Sequence, residues 1–131
     1  MGYTHYFEHK ETTEKKWSKI KEDCSKVIIA SKIILDGFLI TNDVIKFNGN
    51  EDEGHEDFFI SLNGTNGFHF CKTACKPYDL PVTACLLVYK YHSPETMDLS
   101  SDRCSEDWEP AEQLLKSTLD YSISYKEINK H

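Results

Sequence analysis

Apolar and polar positions alternate from Tyr3 to His9, with Tyr3, His5 and Phe7 on one face and Thr4, Tyr6 and Glu8 on the other. A period of two predicts a strand, and aromatic side chains on both faces predict a central one. The period then changes. Trp17, Ile20, Cys24, Val27 and Ile28 recur at helical spacing behind Thr12 and Thr13, either of which can cap a helix, with Glu14 in its first turn. Lys16, Lys19, Glu22, Asp23 and Lys26 make the opposite, solvated face. Residues 32–43 give no clear period, and Gly37 interrupts an extended segment.

Val44–Phe47 reads as a strand, followed by the Asn48-Gly49 turn signal and an acidic loop from Glu51 to Asp57. Phe58–Leu62 and Phe68–Cys71 are two further strands around the Asn63–Gly67 turn, which makes an antiparallel meander. Leu80–His92 is apolar nearly all round and predicts a buried helix, with Pro81 tolerated in its first turn. Thr96–Leu99 is a short strand. Ser105, Glu106 and Asp107 open a last helix with Trp108, Ala111, Leu114, Leu115 and Leu119 inward. Tyr121, Ile123 and Tyr125 alternate, as in an edge strand or a docked tail that could pair with a second copy in a homodimer.

The predicted order is β-α-β-β-β-α-β-α. This is an α+β fold in a single domain over residues 1–131, a mixed sheet with an antiparallel meander and one β-α-β crossover. If the strands ending at Cys71 and near Ser100 are parallel neighbours joined by the buried helix, Lys72–Asp79 and Ser100–Asp102 share the carboxyl edge of the sheet. Ligands of such units bind at that edge.

Composition narrows the classes. With 131 residues and 39% hydrophobic residues the chain suits one soluble globular domain. A net charge of −7 argues against a basic face for duplex nucleic acid. No apolar run reaches the ~18 residues of a membrane span, and the first residues lack the order of a signal peptide. Five cysteines, an odd number, without a secretion signal predict reduced thiols and a cytoplasmic location.

The richest cluster of candidate chemistry is Lys72-Thr73-Ala74-Cys75-Lys76-Pro77-Tyr78-Asp79. Lys72 and Lys76 supply charge for an anion, Thr73 and Tyr78 supply hydroxyls, and Asp79 is placed to cap the helix. Backbone amides at that helix start add an anion-binding end. Ser100, Ser101 and Asp102 would converge on the same place. Asn48 and His55 would close it from the meander, His5 lies on the first strand, and Tyr6, Phe47 or Trp108 could stack on a base. The block Glu51–Asp57 does not fit an EF-hand, and within it His55 and Glu56 are the pair suited to acid–base work. No pattern predicts a metal or a cofactor: CxxC, GxGxxG, Walker, GxSxG and HExxH motifs are all missing.

The strings Gly2–Tyr6, Ile45–Gly49, Glu53–Glu56, Phe70–Asp79 and Ser100–Asp102 with Trp108 resemble an uncharacterised family of small phage, prophage and bacterial proteins. The chain has Cys75 where that family's pattern has arginine, Glu53 where it has aspartate, and Arg103 where it has glycine. The resemblance implies the host-cell cytoplasm and a phage anti-defence setting. Together the residues and the resemblance predict a protein that binds or sequesters a nucleotide-like or phosphorylated signalling molecule. Two alternatives are a small nucleotide hydrolase or phosphodiesterase, using His55 and Glu56 or His5 and Asp102, and a protein–protein inhibitor acting through the acidic surface.

Overall fold

The computed structural model describes residues 4–50, 57–64, 69–73, 76–101 and 105–128. Six strands and four α-helices follow in the order β1 (Thr4–His9), α1 (Glu14–Ser31), β2 (Leu35–Ile40), β3 (Val44–Gly49), β4 (Phe58–Ser61), β5 (His69–Lys72), α2 (Asp79–His92), β6 (Met97–Ser101), α3 (Glu109–Leu119) and α4 (Tyr125–Ile128). Single 3-10 turns at Pro94–Thr96 and Ser105–Trp108 lead into β6 and α3. The class is α+β.

The strands form two three-stranded sheets, ordered β5-β1-β6 and β2-β3-β4. The central place expected for the first strand holds, but the expected neighbours differ. Strands β5 and β6 do run parallel and α2 does connect them, yet β1 lies between them and pairs antiparallel with both. A period-two pattern fixes a strand's faces without naming its neighbours, so the place of the chain's first strand between two distant ones leaves no local trace. The meander is also composed differently. It contains β2, from the segment 32–43 that showed no clear period, while β5 belongs to the other sheet. The obscuring cause is a register shift between Asp36 and Leu39 around Gly37, whose φ is +59°.

Helix α1 begins at Thr13, whose hydroxyl accepts from the Lys16 amide at 3.1 Å. Thr12 instead bonds the Ser93 hydroxyl at 2.8 Å. Trp17, Ile20, Cys24, Val27 and Ile28 are buried as the spacing predicts. Helix α2 is buried from Pro81 to Tyr89 because α1 and α3 both pack against it. Phe7 on β1 meets Phe58 at 5.9 Å between ring centroids, and Phe58 meets Phe47 at 5.1 Å, so one aromatic row joins the two sheets. A second join is backbone: Thr12 donates to Leu62 at 3.0 Å. Gly64 packs so closely there that a Cβ would lie 2.7 Å from the His9 carbonyl oxygen, and its φ of +95° already favours glycine.

The segment after α3 is a docked tail with a short helix, not an edge strand. Tyr121 stacks on Tyr91 at 3.8 Å and donates to Asp23 at 3.0 Å, while Asp23 also accepts from His92 at 2.7 Å. Tyr125 stacks on Trp108 at 4.1 Å. Residues 121–124 lie outside any strand and Tyr125–Ile128 is a helical turn, so the alternation of Tyr121, Ile123 and Tyr125 does not mark a strand here.

This tail gives the fold an alkaline sensitivity. Burial, then the neighbouring Asp23 charge, pushes the Tyr121 phenol far above its ordinary 10.0. Burial also raises Tyr89 and Tyr125. For each, the unfolded chain releases its proton first as the pH passes 10, so binding of protons favours the folded state there. Stability is expected to be fully present below that pH and to fall above it. Urea midpoints measured upward from neutral pH would show the break, and Tyr121→Phe would make the alkaline slope shallower.

Candidate functional site

The residues that meet at the carboxyl ends of β5 and β6 are set by register. His5 stands directly across from Cys71 on one side and Ser101 on the other. His5, Phe7 and His9 share the face of β1 that turns inward, and His5 is fully buried. Its two ring nitrogens reach in opposite directions. Nδ1 lies 2.7 Å from Ser101 Oγ, and Nε2 lies 2.6 Å from Asp79 Oδ1 at the start of α2. The Thr73 hydroxyl donates to the same Asp79 oxygen at 2.5 Å. Thus Thr73, Asp79, His5 and Ser101 form one hydrogen-bonded row that ties both strand ends and α2 to the first strand.

The Thr73 hydroxyl and His5 Nε2 both reach the same oxygen of Asp79. An ionised carboxylate only accepts, which places hydrogen on Nε2 when Asp79 is ionised, and a neutral ring of that tautomer offers Nδ1 to Ser101 as an acceptor. Trp108 closes the row from above, its ring edge-on to His5 with centroids 5.3 Å apart. Trp108 is itself fully buried, and its Nε1 has no hydrogen-bond partner among the described residues.

Beside Asp79 a cleft of about 200 Å³ opens between the beginnings of α2 and α3. Lys76, Asp79, Thr83 and Asp107 provide its polar groups, and Pro77 and Pro110 are among its apolar ones. The Thr83 hydroxyl donates back to the Asp79 carbonyl at 2.9 Å.

Several residues expected to meet a ligand sit elsewhere. Thr73 and Tyr78 are fully buried, so Thr73 serves Asp79 and Tyr78 packs in the core. Tyr78, not Asp79, takes the cap position of α2, and it makes no side-chain cap bond. The carboxylate of Asp79 is directed to His5 and Thr73. Nor is the start of α2 an open anion site. The amides of Asp79, Leu80 and Val82 donate to the carbonyls of Lys76, Pro77 and Tyr78, and Pro81 has no N–H. Asn48 lies on β3 in the other sheet, where its amide donates to Asp57 at 2.9 Å. Ser100 is exposed and lines a shallow hollow with Tyr6 on the opposite face of the sheet from His5. Phe47 and Trp108 are fully buried, which removes them as platforms for a base. Lys72 ends β5 opposite Thr4. His55, Glu56 and Asp102 lie outside the described residues.

One group was not singled out from the sequence. At the far end of β1, Tyr89 OH lies 3.1 Å from His9 Nδ1 and 2.8 Å from Thr96 Oγ1, and Ser93 links Thr96 to Thr12 at 2.7 and 2.8 Å. This second row borders a cavity of about 410 Å³ lined by Glu8, Lys10, Glu95 and Asp98 among others. The available signal was the two-residue spacing of His5 and His9 about Phe7.

Among the described residues no three His, Cys, Asp or Glu side chains gather to hold a metal ion, and no helix is long and apolar enough to cross a membrane. Comparison with protein-family models, curated proteins and solved structures finds no match to this chain.

Proposed function

We propose that this protein binds a small polar ligand carrying an anionic group, a nucleotide-like or phosphorylated molecule, at the carboxyl ends of β5 and β6. The observation that carries this reading is the meeting of Asp79, His5 and Ser101 from two strands and a helix, next to a cleft of mixed charge. The cleft suits such a ligand in a specific way. Lys76 is the cation for a phosphate. Asp79 and Asp107 are acceptors for sugar hydroxyls or base amino groups. With the α2 amides already engaged, phosphate recognition falls on the lysine side chains, which makes it sensitive to their removal. In the phage setting implied by the sequence resemblance, the protein acts in the host cytoplasm as a sponge that withdraws a signalling nucleotide.

The test is native mass spectrometry of protein purified from cells, with acid release of whatever is bound. A co-purifying nucleotide or sugar phosphate is expected, and Lys76→Ala is expected to weaken it by roughly tenfold or more, the loss of one charge-assisted hydrogen bond of about 1.5–3 kcal/mol. An empty protein whose melting temperature does not move with a panel of nucleotides would contradict the reading and favour a protein–protein inhibitor.

A further inference from the structure

We propose that Ser101 is an activated nucleophile, with His5 as its general base and Asp79 as the residue that positions His5, and that the reaction it supports is attack on the carbonyl carbon of a small ester. The proposal rests on the ligand reading only for how a substrate is held. The chemistry rests on separate distances.

A serine hydroxyl is a weak nucleophile until an adjacent base takes its proton, and the base must be oriented by a third group. All three groups meet here. Ser101 Oγ lies 2.7 Å from His5 Nδ1, and His5 Nε2 lies 2.6 Å from Asp79 Oδ1. With Asp79 ionised, hydrogen sits on Nε2 and the neutral ring offers its Nδ1 lone pair to the serine. Such an arrangement is recognised by geometry and role, not by chain order. Here the order is His, Asp, Ser, and the ring presents Nδ1, instead of Nε2, to the nucleophile. The orienting part is enclosed: His5 is fully buried and Asp79 is 6% exposed. The reacting end is not, since Ser101 is half-buried at the end of a strand. A buried orienter and base beside a partly exposed serine is the order of exposure a nucleophile needs.

The step balances. Ser101 Oγ bonds to the carbonyl carbon while its proton passes to His5 Nδ1. The C–O bond to the leaving alcohol breaks, and the alcohol takes that proton from Nδ1. Water then adds to the acyl serine, giving its proton to His5, and the Ser101–acyl bond breaks to return the hydroxyl and release the acid.

The test is labelling by a fluorophosphonate, in which Ser101 Oγ displaces fluoride at phosphorus, with peptide mass spectrometry to locate the adduct. Hydrolysis of p-nitrophenyl acetate is followed alongside. Labelling at Ser101 is expected, absent in Ser101→Ala and slowed at least ~100-fold in His5→Gln, the lower range for a positioned base. Asp79→Asn should shift the pH profile of labelling as well as its rate, which a purely structural role would not do. Ser101→Cys guards against misfolded variants: it should fold and react with iodoacetamide faster than Cys introduced at the neighbouring exposed Ser100. No adduct at Ser101 in folded protein, or a Ser101→Cys thiol no faster than the control, overturns the proposal. Nucleotide binding measured on the same preparations separates the two readings. Binding without labelling leaves the ligand site standing alone, and labelling without nucleotide binding leaves the nucleophile.

Discussion

Replacing His5 by leucine is expected to lower the unfolding free energy by about 3 kcal/mol, the upper range for taking one hydrogen-bond partner from a buried charged group. The imidazole is fully buried, and its loss removes one of the hydrogen bonds that Asp79 accepts. Part of the cost is the desolvation of a carboxylate that has lost a donor, beyond the bond itself. That distinction has its own test. Asp79→Leu alone should also be damaging, because it strands His5, but His5→Leu with Asp79→Leu should recover a good part of the sum, since two apolar groups can fill the space. Urea unfolding of the four proteins supplies the coupling energy. Strict additivity would mean the two side chains do not depend on one another, and the site as described would be wrong.

The second large effect is at Trp108. Trp108→Ala is expected to cost about 3–5 kcal/mol, in the range for emptying a large aromatic site in a core. The indole is fully buried, parallel to Tyr125 at 4.1 Å with 4° between planes, and edge-on to His5. It therefore holds the tail and the histidine row at once. Trp108→Phe should cost less than half as much. It keeps an aromatic surface and removes an N–H that has no partner among the described residues, so no hydrogen bond is lost with it. Equilibrium unfolding compares the two directly. A phenylalanine variant as unstable as the alanine variant would show that the indole N–H is bonded after all.

The parts of this fold that local pattern determines were legible in the chain. The helical spacing of Trp17 through Ile28, the nearly all-apolar Val82–Val88 stretch and the alternation in β1 each appear where expected, because each reports burial that the residue types themselves enforce. What was not legible is pairing over long separations. Nothing near Thr4 indicates that β1 will lie between β5 and β6, 62 or more residues later by the register Phe7 to His69, Thr4 to Lys72 and His5 to Ser101. The insertion nevertheless preserves the expected result, since both strands still end at the amino end of β1. The composition of the site followed the same division. The loop ahead of α2 and the serines of β6 were visible as polar residues at strand ends. Which of them face solvent was not. Asp79 looked like a helix cap because of its position, and the structure gives its carboxylate to a histidine from the far end of the sequence. Thr73 and Tyr78 looked like ligand contacts because loops tend to be exposed, and both are buried.

The most direct test of the account is the ring spectrum of His5 by long-range nitrogen–proton NMR at neutral pH. The account predicts a single, slowly exchanging state with hydrogen fixed on Nε2 by Asp79, and a Nδ1 resonance that moves when Ser101 is replaced by alanine. A ring averaging between tautomers, or one with hydrogen on Nδ1 only, would contradict it.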